Sequence, residues 1–582
     1  MKTVETDVLV VGAGVTGLTL SAYLARSGVP TVTIARHSGP APSPRANVLN
    51  QRTVEVLRDL DLEDRVRAVA TPLRDLGNGV LLTSFDGLEI ARYSCYGTGA
   101  HQRSDYAIAS PCEMLNAPQH LLEPLLFAGV REQGGEVRWR TQLERVEQTC
   151  DRVTAAVRDL GTGSEYEIRA SYAVAADGAR SRVADQQDFR FEGDAGLMHM
   201  LSIWIEADLT RFTAHRPAAI YWIVQPGNDY WVGSGTWICV KPFTEWLVHR
   251  QYEPTDGEPD GSEAGLLEIA RTTIGDHNID VALKDVSKWQ VNRVVATEYR
   301  RGRVFLAGDA AHRHPPASGL GANTSIQDAF NLGWKLAMVV NARAGDGLLD
   351  SYHEERQPVG RQVVEHAHRT LENMSLVPQA LGFRRGQAPA DGRASLEDVF
   401  SDNPASISRR AALKEAVDLQ NYRSNALGIQ LGQRYDSGAV ISDGTPFPEP
   451  DRDPLLYYQP TTHPGGYLPH AWVEQAAVRK STLDLVGRDT FTLITGICGK
   501  AWEAGAKRVA SELQVRLVIH RVGYRCPIDD VLGEWATRSE LTEYGAILVR
   551  PDRHIAWRSC GAVEDPEGAL RAALAECLDV SR

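Results

Sequence analysis

Two loops of the chain carry residue types that can hold phosphates and polyols. The first is Gly12-Ala13-Gly14-Val15-Thr16-Gly17, which directly follows the apolar run Val8–Val11. Gly12 and Gly14 would let the backbone turn tightly and approach a pyrophosphate, and Gly17 would let a helix pack closely on the strand. The free N–H groups at the start of such a helix attract negative charge. The spacing therefore predicts a dinucleotide site, and the alternative is a glycine turn that only packs.

The second loop follows another short apolar run, Val304–Leu306, and places Asp309 directly after Gly308. An acid at the carboxyl end of a buried strand can accept hydrogen bonds from a polyol. Further along, Gly319-Leu320-Gly321-Ala322-Asn323 opens a second helix and offers a second set of free N–H groups. Such a loop can stabilise an electron-rich ring that gains negative charge when it is reduced.

A third turn, Ala176-Asp177-Gly178, also follows an apolar run, although this pattern alone is common in turns. One element departs from the dinucleotide fingerprint, which normally carries an acid about 20 residues after the glycines, where it binds a ribose. Here Ala35 and Arg36 stand at that place. Arg36 could lie along an adenine ring or meet a phosphate, and the alternative is an arginine that faces solvent.

The elements that must position these loops can be read from the periodicity. Val8–Val11 predicts a buried strand, Leu18–Ser27 a helix ended by Gly28, and Val29–Ala35 a second strand. The stretch 188–286 is rich in strand-like runs, and Ile220–Val224 with Tyr230–Val232 predicts a hairpin around Pro226-Gly227. A long helix is predicted from near Thr324. The stretch 378–403 is polar, contains Pro and Gly, and predicts a linker.

Composition sets the broad class. The 582 residues are 43% hydrophobic and 24% charged, as in ordinary globular proteins, which excludes disorder, collagen and a coiled coil as the main architecture. The net charge of −13 gives no indication of nucleic-acid or anionic-membrane binding. The N-terminus does not resemble a signal peptide, and no apolar run reaches the length of about 18 residues that a membrane helix needs. We therefore expect a cytoplasmic protein with no nucleic-acid or membrane partner.

The eight cysteines form no Cys-x-x-Cys pair, so the sequence predicts neither a zinc site nor a dithiol redox site, and no metal is expected.

The stretch 431–582 predicts a separate α/β segment. Its strand-like runs are Phe491–Ile494, Val515–Ile519 and Ala546–Val549.

Together, in this order and spacing, the three loops resemble the class A flavoprotein aromatic hydroxylases over about residues 1–375. The resemblance is closest to the 2,4-dichlorophenol 6-monooxygenase branch of the phenol hydroxylases. It is carried by Ser43-Pro44-Arg45-Ala46, Asn50–Thr53, His314–Pro316 and Asn323–Asp328. The resemblance implies an α/β fold in which a Rossmann-like FAD-binding domain of the GR2 type is interleaved with a β-sheet-rich substrate domain, followed by a thioredoxin-like domain.

The expected division of the chain follows from this resemblance. The expected parts are 1–187 (FAD-binding domain, first part), 188–286 (substrate domain), 287–377 (FAD-binding domain, second part, with the long helix), 378–430 (linker) and 431–582 (thioredoxin-like domain). Because the last part lacks paired cysteines, packing or oligomer contact is its expected role. A homo-oligomer is expected.

The resemblance implies FAD as cofactor, NADPH or NADH as a transient co-substrate, and molecular oxygen. A flavin C4a-hydroperoxide would then transfer an OH group to an aromatic ring. No second glycine fingerprint for NAD(P)H is present, as in this class. The residues that the resemblance assigns to the cofactor are Gly12, Gly14, Val15, Thr16, Gly17, Ala35, Arg36, Arg45, Gln119, Asp177, Asp309, Pro316, Gly319, Leu320, Gly321, Ala322 and Asn323.

The substrate is expected to be a small aromatic molecule, a phenol or a hydroxypyridine-like ring, including one of the piericidin type. Chlorophenol breakdown and natural-product biosynthesis both occur among the relatives. Candidate pocket residues are Tyr221, Trp222, Trp231, His314 and Pro315, with Tyr230 beside them, although aromatic residues in strands usually pack in a core. Alternation puts Tyr221 and Trp222 on opposite faces of a strand. No catalytic base can be named.

Two rival functions predict different sequence features. A flavin-dependent halogenase would carry a Trp-x-Trp-x-Ile-Pro run, which this sequence lacks. A flavin-binding interaction protein without turnover would use its C-terminal domain for assembly, but the intact glycines and both acid-bearing loops favour a working cofactor site.

Overall fold

Residues 2–227 and 234–580 are described in a computed structural model of the chain. Within these ranges the strands are β1 (Lys2–Val11), β2 (Thr31–Ile34), β3 (Val48–Leu49), β4 (Thr71–Pro72), β5 (Asn78–Leu82), β6 (Glu89–Ser94), β7 (Leu115–Asn116), β8 (Glu136–Arg138), β9 (Thr141–Gln148), β10 (Val153–Asp159), β11 (Glu165–Ala175), β12 (Phe191–Glu206), β13 (Ala218–Ile223), β14 (Gly235–Lys241), β15 (Glu245–Tyr252), β16 (Ala282–Ala296), β17 (Arg300–Arg301), β18 (Val304–Leu306), β19 (His312–Arg313), β20 (Trp472–Gln475), β21 (Val478–Ser481), β22 (Phe491–Thr495), β23 (Leu517–Arg521), β24 (Ala546–Val549) and β25 (Ile555–Ser559).

The α-helices of the same ranges are α1 (Val15–Arg26), α2 (Gln51–Asp59), α3 (Glu63–Val69), α4 (Arg103–Ala109), α5 (Gln119–Glu132), α6 (Arg182–Gln186), α7 (Thr210–Thr213), α8 (Glu263–Ile274), α9 (Gly321–Val340), α10 (Asp350–Ala380), α11 (Pro389–Val399), α12 (Ile407–Asp418), α13 (Asn421–Ser424), α14 (Leu427–Leu431), α15 (Lys500–Glu512), α16 (Glu534–Arg538) and α17 (Pro566–Cys577).

The first sheet has the order β17-β18-β11-β1-β2-β8, with β9 and β10 continuing from β11. Strand β1 is parallel to β2 and β11, and β11 is parallel to β18. Val8–Val11 are buried in the middle of this sheet, where α1 packs against β1 and against α5 and α9. The carboxyl ends of β1, β11 and β18 therefore meet at one edge, where the three predicted loops begin.

The second sheet has the order β19-β16-β12-β15-β14-β13-β5-β6. Six of its eight strands come from between β11 and α9, so the predicted interleaving of an FAD-binding domain with a β-rich domain is confirmed. The sheet also takes in β5 and β6, from the segment that the sequence analysis assigns to the first domain. Strand β13 pairs in parallel with β5 across about 140 residues, a pairing that local sequence patterns do not reveal.

The second sheet has two faces that are used differently. We call one the α8 face, because Tyr221, Trp237 and Trp246 pack there with Leu266 and Ile274 of that helix. We call the other the α10 face. There Met200 and Trp222 pack with Leu371 and Met374 of α10, and Ser202 and His249 stand on this same face by strand register.

The segment 378–430, interpreted from the sequence as a linker, contains α11, α12 and α13. Leu396, Val399 and Leu413 of these helices join the hydrophobic cluster on the α10 face. The helices form because this tertiary contact buries their apolar residues, which local helix propensity does not predict. The segment is thus a wall of the second sheet.

The C-terminal segment forms a sheet of order β23-β22-β24-β25, with β22 parallel to β23 and antiparallel to β24. Helices α15 and α17 pack together beside it. The thioredoxin-like assignment stays a prediction, and all eight cysteines are free thiols. Buried ion pairs join this segment to the first domain, among them Glu355 with Arg550 at 2.6 Å.

Candidate active site

The glycine turn between β1 and α1 is crowded at Gly12 and Gly17 but leaves room for a side-chain carbon at Gly14. Gly12 has a φ of +110°, and a Cβ there would overlap the carbonyl oxygen of Ala176. A Cβ on Gly17 would overlap the carbonyl oxygen of Gly12, so both positions require glycine. At Gly14 the nearest protein atom is 3.7 Å away from such a Cβ. No side chain caps α1, so its first N–H groups are free for an anionic ligand.

The loop after β18 lies against this turn. Gly308 has a φ of +62°, and a Cβ on it would overlap Oγ1 of Thr16, in the first turn of α1, and lie 2.9 Å from Oγ of Ser325 in α9. Two loops about 300 residues apart in sequence therefore meet, and one ligand can contact both.

Asp309 opens toward this junction. Its side chain is exposed, yet protein atoms surround it closely enough that desolvation raises its pKa, with His312, Arg313 and Arg45 acting in the opposite direction. This combination is typical of a group at the floor of a crevice. Arg45 is exposed and lies within electrostatic reach of Asp309 and His37, whose pKa is lowered by burial and by Arg36 and Arg45.

A buried carboxylate beside the glycine turn is absent from the sequence-based candidates. Oε1 of Glu123 accepts from Nε2 of Gln119 at 2.6 Å, and Oε2 accepts from the backbone N–H of Ala41 at 2.6 Å. The backbone N–H of Gln119 donates to the carbonyl of Ala46 at 2.8 Å. Glu123 thereby holds Gln119 and the segment that leads to Arg45 against the side of Gly14. In the sequence, the only indication of this contact is that Gln119 and Glu123 lie one helical turn apart, so their side chains can meet on one face of a helix.

The loop Pro316–Asn323 is fixed to the segment after Arg45 by one amide. Oδ1 of Asn323 accepts from the N–H of Asn50 (2.9 Å) and the hydroxyl of Thr53 (2.6 Å), and its Nδ2 donates to the carbonyls of Val48 (2.9 Å) and Gly319 (2.6 Å). Both lone pairs of Oδ1 and both hydrogens of Nδ2 therefore have hydrogen-bond partners within the protein. Gly319 has a φ of +63°, Leu320 is buried, Gly321 and Ala322 begin α9, and Pro316 is exposed.

Behind the Gly308 loop lies a buried ionic cluster that sequence reasoning did not assign. Oδ2 of Asp328 accepts from the N–H of Gly308 at 3.0 Å and contacts Nε2 of His312 at 2.8 Å. Its Oδ1 accepts from Nε of Arg356 at 2.8 Å. Burial raises the pKa of Asp328, but Arg356 and His312 outweigh it and hold the pKa below its usual range. Asp328 therefore remains a carboxylate that shapes the loop.

Three further cofactor candidates have local roles. Oδ2 of Asp177 accepts from the N–H groups of Arg182 and Val183 at the start of α6, while its buried Oδ1 has no partner among the described residues and keeps an open acceptor. Ala35 is buried and its N–H donates to the carbonyl of Arg138. Arg36 is exposed, 3.5 Å from the ring of His37.

The predicted pocket residues fall into three groups. Tyr221 lies in the core of the α8 face, with its hydroxyl bonded to the backbone of Ala218 and Arg216, so it is not at the site. Trp222 lies on the α10 face, under the guanidinium of Arg423 at 4.6 Å. Trp231, with Tyr230, lies outside the described residues.

His314 and Pro315 lead into the loop that begins α9. Nδ1 of His314 contacts the carbonyl of Pro315 at 2.9 Å, and its buried Nε2 has no partner in the described part of the chain. Its ring lies 3.8 Å from the position of a Cβ on Gly321. Burial lowers the pKa of His314 to about 4, so the ring is uncharged near neutral pH.

The α10 face of the second sheet adjoins these loops at several points. The ring of Trp204 lies 5.4 Å from that of His120, the neighbour of Gln119. Ala317, in the loop before α9, packs against the cluster that contains Met200. A further contact reaches the backbone of the same sheet: Asn47 donates to Asn116, which donates to the carbonyl of Cys239 in β14, a residue whose side chain packs on the α8 face. The crevice is thus bounded by the glycine turn, the Gly308 loop, the Pro316–Asn323 loop and the α10 face.

No helix of the described residues has the length and apolar character to cross a membrane. Within the same residues no three His, Cys, Asp or Glu side chains are grouped so that they could hold a metal ion.

Comparison with known proteins identifies the family of the chain. Residues 5–367 match the family model described as "FAD binding domain", and residues 461–580 match "Aromatic-ring hydroxylase, C-terminal". The chain is 41% identical to a 2,4-dichlorophenol 6-monooxygenase of Delftia acidovorans, over 99% of both chains. It is 38% identical to a phenol 2-monooxygenase of Pseudomonas sp. (strain EST1001), over 99% of this chain and 93% of the other.

A solved structure also identifies the chain as similar to a flavin-dependent monooxygenase. The crystal structure of the flavin-dependent monooxygenase PieE, in complex with FAD and substrate, is 43% identical, covers 100% of both chains and superposes with a TM-score of 0.96. These relatives are all monooxygenases, so neither a halogenase nor a binding protein without turnover gains support.

Proposed function

The chain belongs to the FAD-dependent aromatic-ring monooxygenases, and we propose that its substrate is a single phenol or hydroxypyridine ring, hydroxylated with NAD(P)H and molecular oxygen. The observation that carries this proposal is the contact of Gly308 with Thr16, because it joins the glycine turn and the Asp309 loop into one crevice beside the α10 face. The phenol-acting relatives are 41% and 38% identical to this chain, against 33% for a polyketide hydroxylase and 32% for a tetracenomycin monooxygenase, which supports the proposed ring class.

The crevice fits FAD. The open side of Gly14 and the uncapped start of α1 suit the diphosphate. We propose that Asp309 accepts from the ribityl hydroxyls and that Arg45 and Gln119 contact the flavin phosphate or ribityl chain. The backbone of Gly319–Asn323 would support the flavin ring, since the side chain of Asn323 is already occupied. No acid stands at Ala35, so the adenosine ribose would be held by other groups.

The protein and the cofactor have separate tasks in this proposal. When bound, FAD supplies the redox chemistry: it accepts hydride from the nicotinamide and activates oxygen. The chain's own residues hold the ring in place and keep water away. The α10 face is suited to the second task, because Met200, Trp222, Leu371 and Met374 form a buried apolar cluster there.

A substrate screen tests the function. Purified protein should be yellow, and the oxidation of NAD(P)H should accelerate when a suitable phenol or hydroxypyridine is added. The product should gain one oxygen atom, as measured by mass spectrometry. Yellow protein whose NAD(P)H oxidation responds to no ring compound in a broad panel would refute the proposed substrate class. Peroxide release with unchanged ring compound would show uncoupled oxidation.

Two further parts of the proposal concern the protein in the cell. We propose a homo-oligomer, which light scattering of the purified holoenzyme tests, and a cytoplasmic location, which fractionation of the producing cells tests.

A further inference from the structure

A chain of hydrogen-bonded polar groups crosses the α10 face. Nε1 of Trp289, in β16, donates to Oγ of Ser202 in β12 at 2.6 Å. Oγ of Ser202 lies 2.6 Å from Nδ1 of His249 in β15. The rings of His249 and Trp289 meet edge to face with centroids 5.5 Å apart. Three neighbouring strands thus contribute one residue each to a connected set.

The direction of these hydrogen bonds fixes the state of His249. An indole N–H can only donate, so Ser202 accepts from Trp289. Nδ1 of His249 is then the only acceptor that the described residues offer to the buried hydroxyl of Ser202, so this hydroxyl donates its hydrogen to Nδ1. Nδ1 is then the acceptor, and the ring proton resides on Nε2. Burial lowers the pKa of His249 to about 4, which keeps this imidazole neutral at physiological pH.

The position of His249 places it at the cofactor crevice. On the same face of β12, Ser202 stands between Met200, whose cluster includes Ala317 of the loop before α9, and Trp204, which contacts His120. Within the described residues Nε2 of His249 has no hydrogen-bond partner, and it is not among the atoms sealed from solvent. It is therefore an oriented donor that keeps accessible surface and has no partner in the described part of the protein.

We propose that His249 binds the oxygen substituent of the aromatic substrate by donating a hydrogen bond from Nε2. This inference rests on the proposed function and deepens it, because it names the group that recognises the ring. The donor is matched to a phenol, phenolate or pyridone oxygen, each of which accepts. By holding that oxygen, His249 fixes which ring carbons can face the flavin. A ring without an oxygen substituent gains nothing from this contact.

Binding measurements separate this contact from general packing. His249→Phe keeps a flat ring but removes the donor, and His249→Gln keeps an N–H donor. Affinity is read from the change in flavin absorbance of the holoenzyme, with a chlorophenol and with the matching chlorobenzene. We expect His249→Phe to raise the Kd of the chlorophenol at least tenfold, which corresponds to about 1.4 kcal/mol. The Kd of the chlorobenzene should stay the same, and His249→Gln should recover most of the lost affinity.

A matched control comes from the same strand as Ser202. His199 contacts Tyr252 of the α8-face cluster at a ring distance of 5.7 Å, so His199→Phe should leave the chlorophenol affinity unchanged. Ser202 acts through His249 as a positioning residue. Ser202→Ala should raise KM for the phenol several-fold while kcat at saturating phenol changes little.

The outcomes distinguish the two proposals. If no ring compound stimulates the wild-type enzyme, the proposed function fails. If the wild-type enzyme hydroxylates a phenol and folded His249→Phe binds that phenol as tightly, the role of His249 is overturned. Should His249→Phe not fold, His249→Met serves as the donor-free variant under the same criterion. An equal loss of affinity for chlorophenol and chlorobenzene would also overturn it, because it would mark lost packing.

Discussion

Replacing Asp328 with asparagine should weaken both the fold and the binding of FAD, because one buried carboxylate holds three groups. It accepts from the N–H of Gly308 at 3.0 Å, contacts His312 at 2.8 Å and pairs with Arg356 at 2.8 Å. The side chains of all three titratable residues are fully buried. Because the site is closed to solvent, water cannot compensate for the negative charge that the substitution removes.

The magnitude follows from the charge that is left behind. Removing one partner of a buried ion pair typically costs about 3–5 kcal/mol, because the other charge stays buried without compensation. Arg356 retains Oε1 of Gln433 at 2.6 Å and the hydroxyl of Tyr435 at 3.0 Å. We therefore expect a loss near the lower end, about 3 kcal/mol. The Gly308 loop loses a fixed acceptor as well, so the Kd of FAD should rise about tenfold, equivalent to about 1.4 kcal/mol.

Urea unfolding and titration of the apoprotein with FAD measure the two effects. Glu132→Gln is a suitable control, since Glu132 pairs with Arg65 at 2.9 Å on the surface. Exposed pairs contribute less than about 1 kcal/mol, so this variant should unfold like the wild type. If Asp328→Asn matches the wild type in urea midpoint and in FAD affinity, the idea that this carboxylate holds the flavin loop is refuted.

Three more predictions concern the cofactor site and pH. Gly14→Val should abolish FAD retention by filling the open side of the turn, whereas Gly261→Val, at a position with nothing within 4 Å, should copurify with normal flavin. Asp309→Ala should raise the Kd of FAD about tenfold in a flavin titration, since a charged acceptor is lost, and an unchanged Kd would contradict its role. Burial lowers the pKa of His470 to about 4, so the folded protein favours the neutral ring. The free energy of unfolding is therefore unaffected by this group above about pH 6.5 and falls as the pH drops from about 6.5 toward 4, by at most roughly 3 kcal/mol. In urea midpoints at pH 7 and pH 5, His470→Gln should be less sensitive to pH than the wild type, and equal sensitivity would contradict this.

Local signals were sufficient where a strand and its turn are adjacent in sequence. The run Val8–Val11 ends β1, and α1 begins at Val15, because Gly12 permits the tight turn that a side chain there would block. The runs Phe491–Ile494, Val515–Ile519 and Ala546–Val549 correspond to β22, β23 and β24, with bounds shifted by at most two residues. A strand buried on both faces is apolar throughout and is therefore visible without knowledge of its neighbours.

Long-range pairing could not be read in this way. The join of β5 to β13, and the helices between 389 and 424, depend on surfaces that the chain supplies elsewhere. Leu396 and Val399 are too few to mark an amphipathic helix within a polar stretch. Packing against the α10 face buries both side chains, and this tertiary contact stabilises α11 more than its local sequence does.

The residues that sequence reasoning missed share one property: each is a polar side chain whose partners lie far along the chain. Glu123 meets Ala41, and Ser202 meets His249. A polar residue in a strand or helix is interpreted as exposed unless its partner is known. Asp328 carried a usable signal, because Ile326, Ala329 and Phe330 around it show a helix that is apolar on several sides. An acid in such a helix must be paired or hydrogen-bonded, and here one partner is the backbone of Gly308, in the loop that we propose binds the flavin.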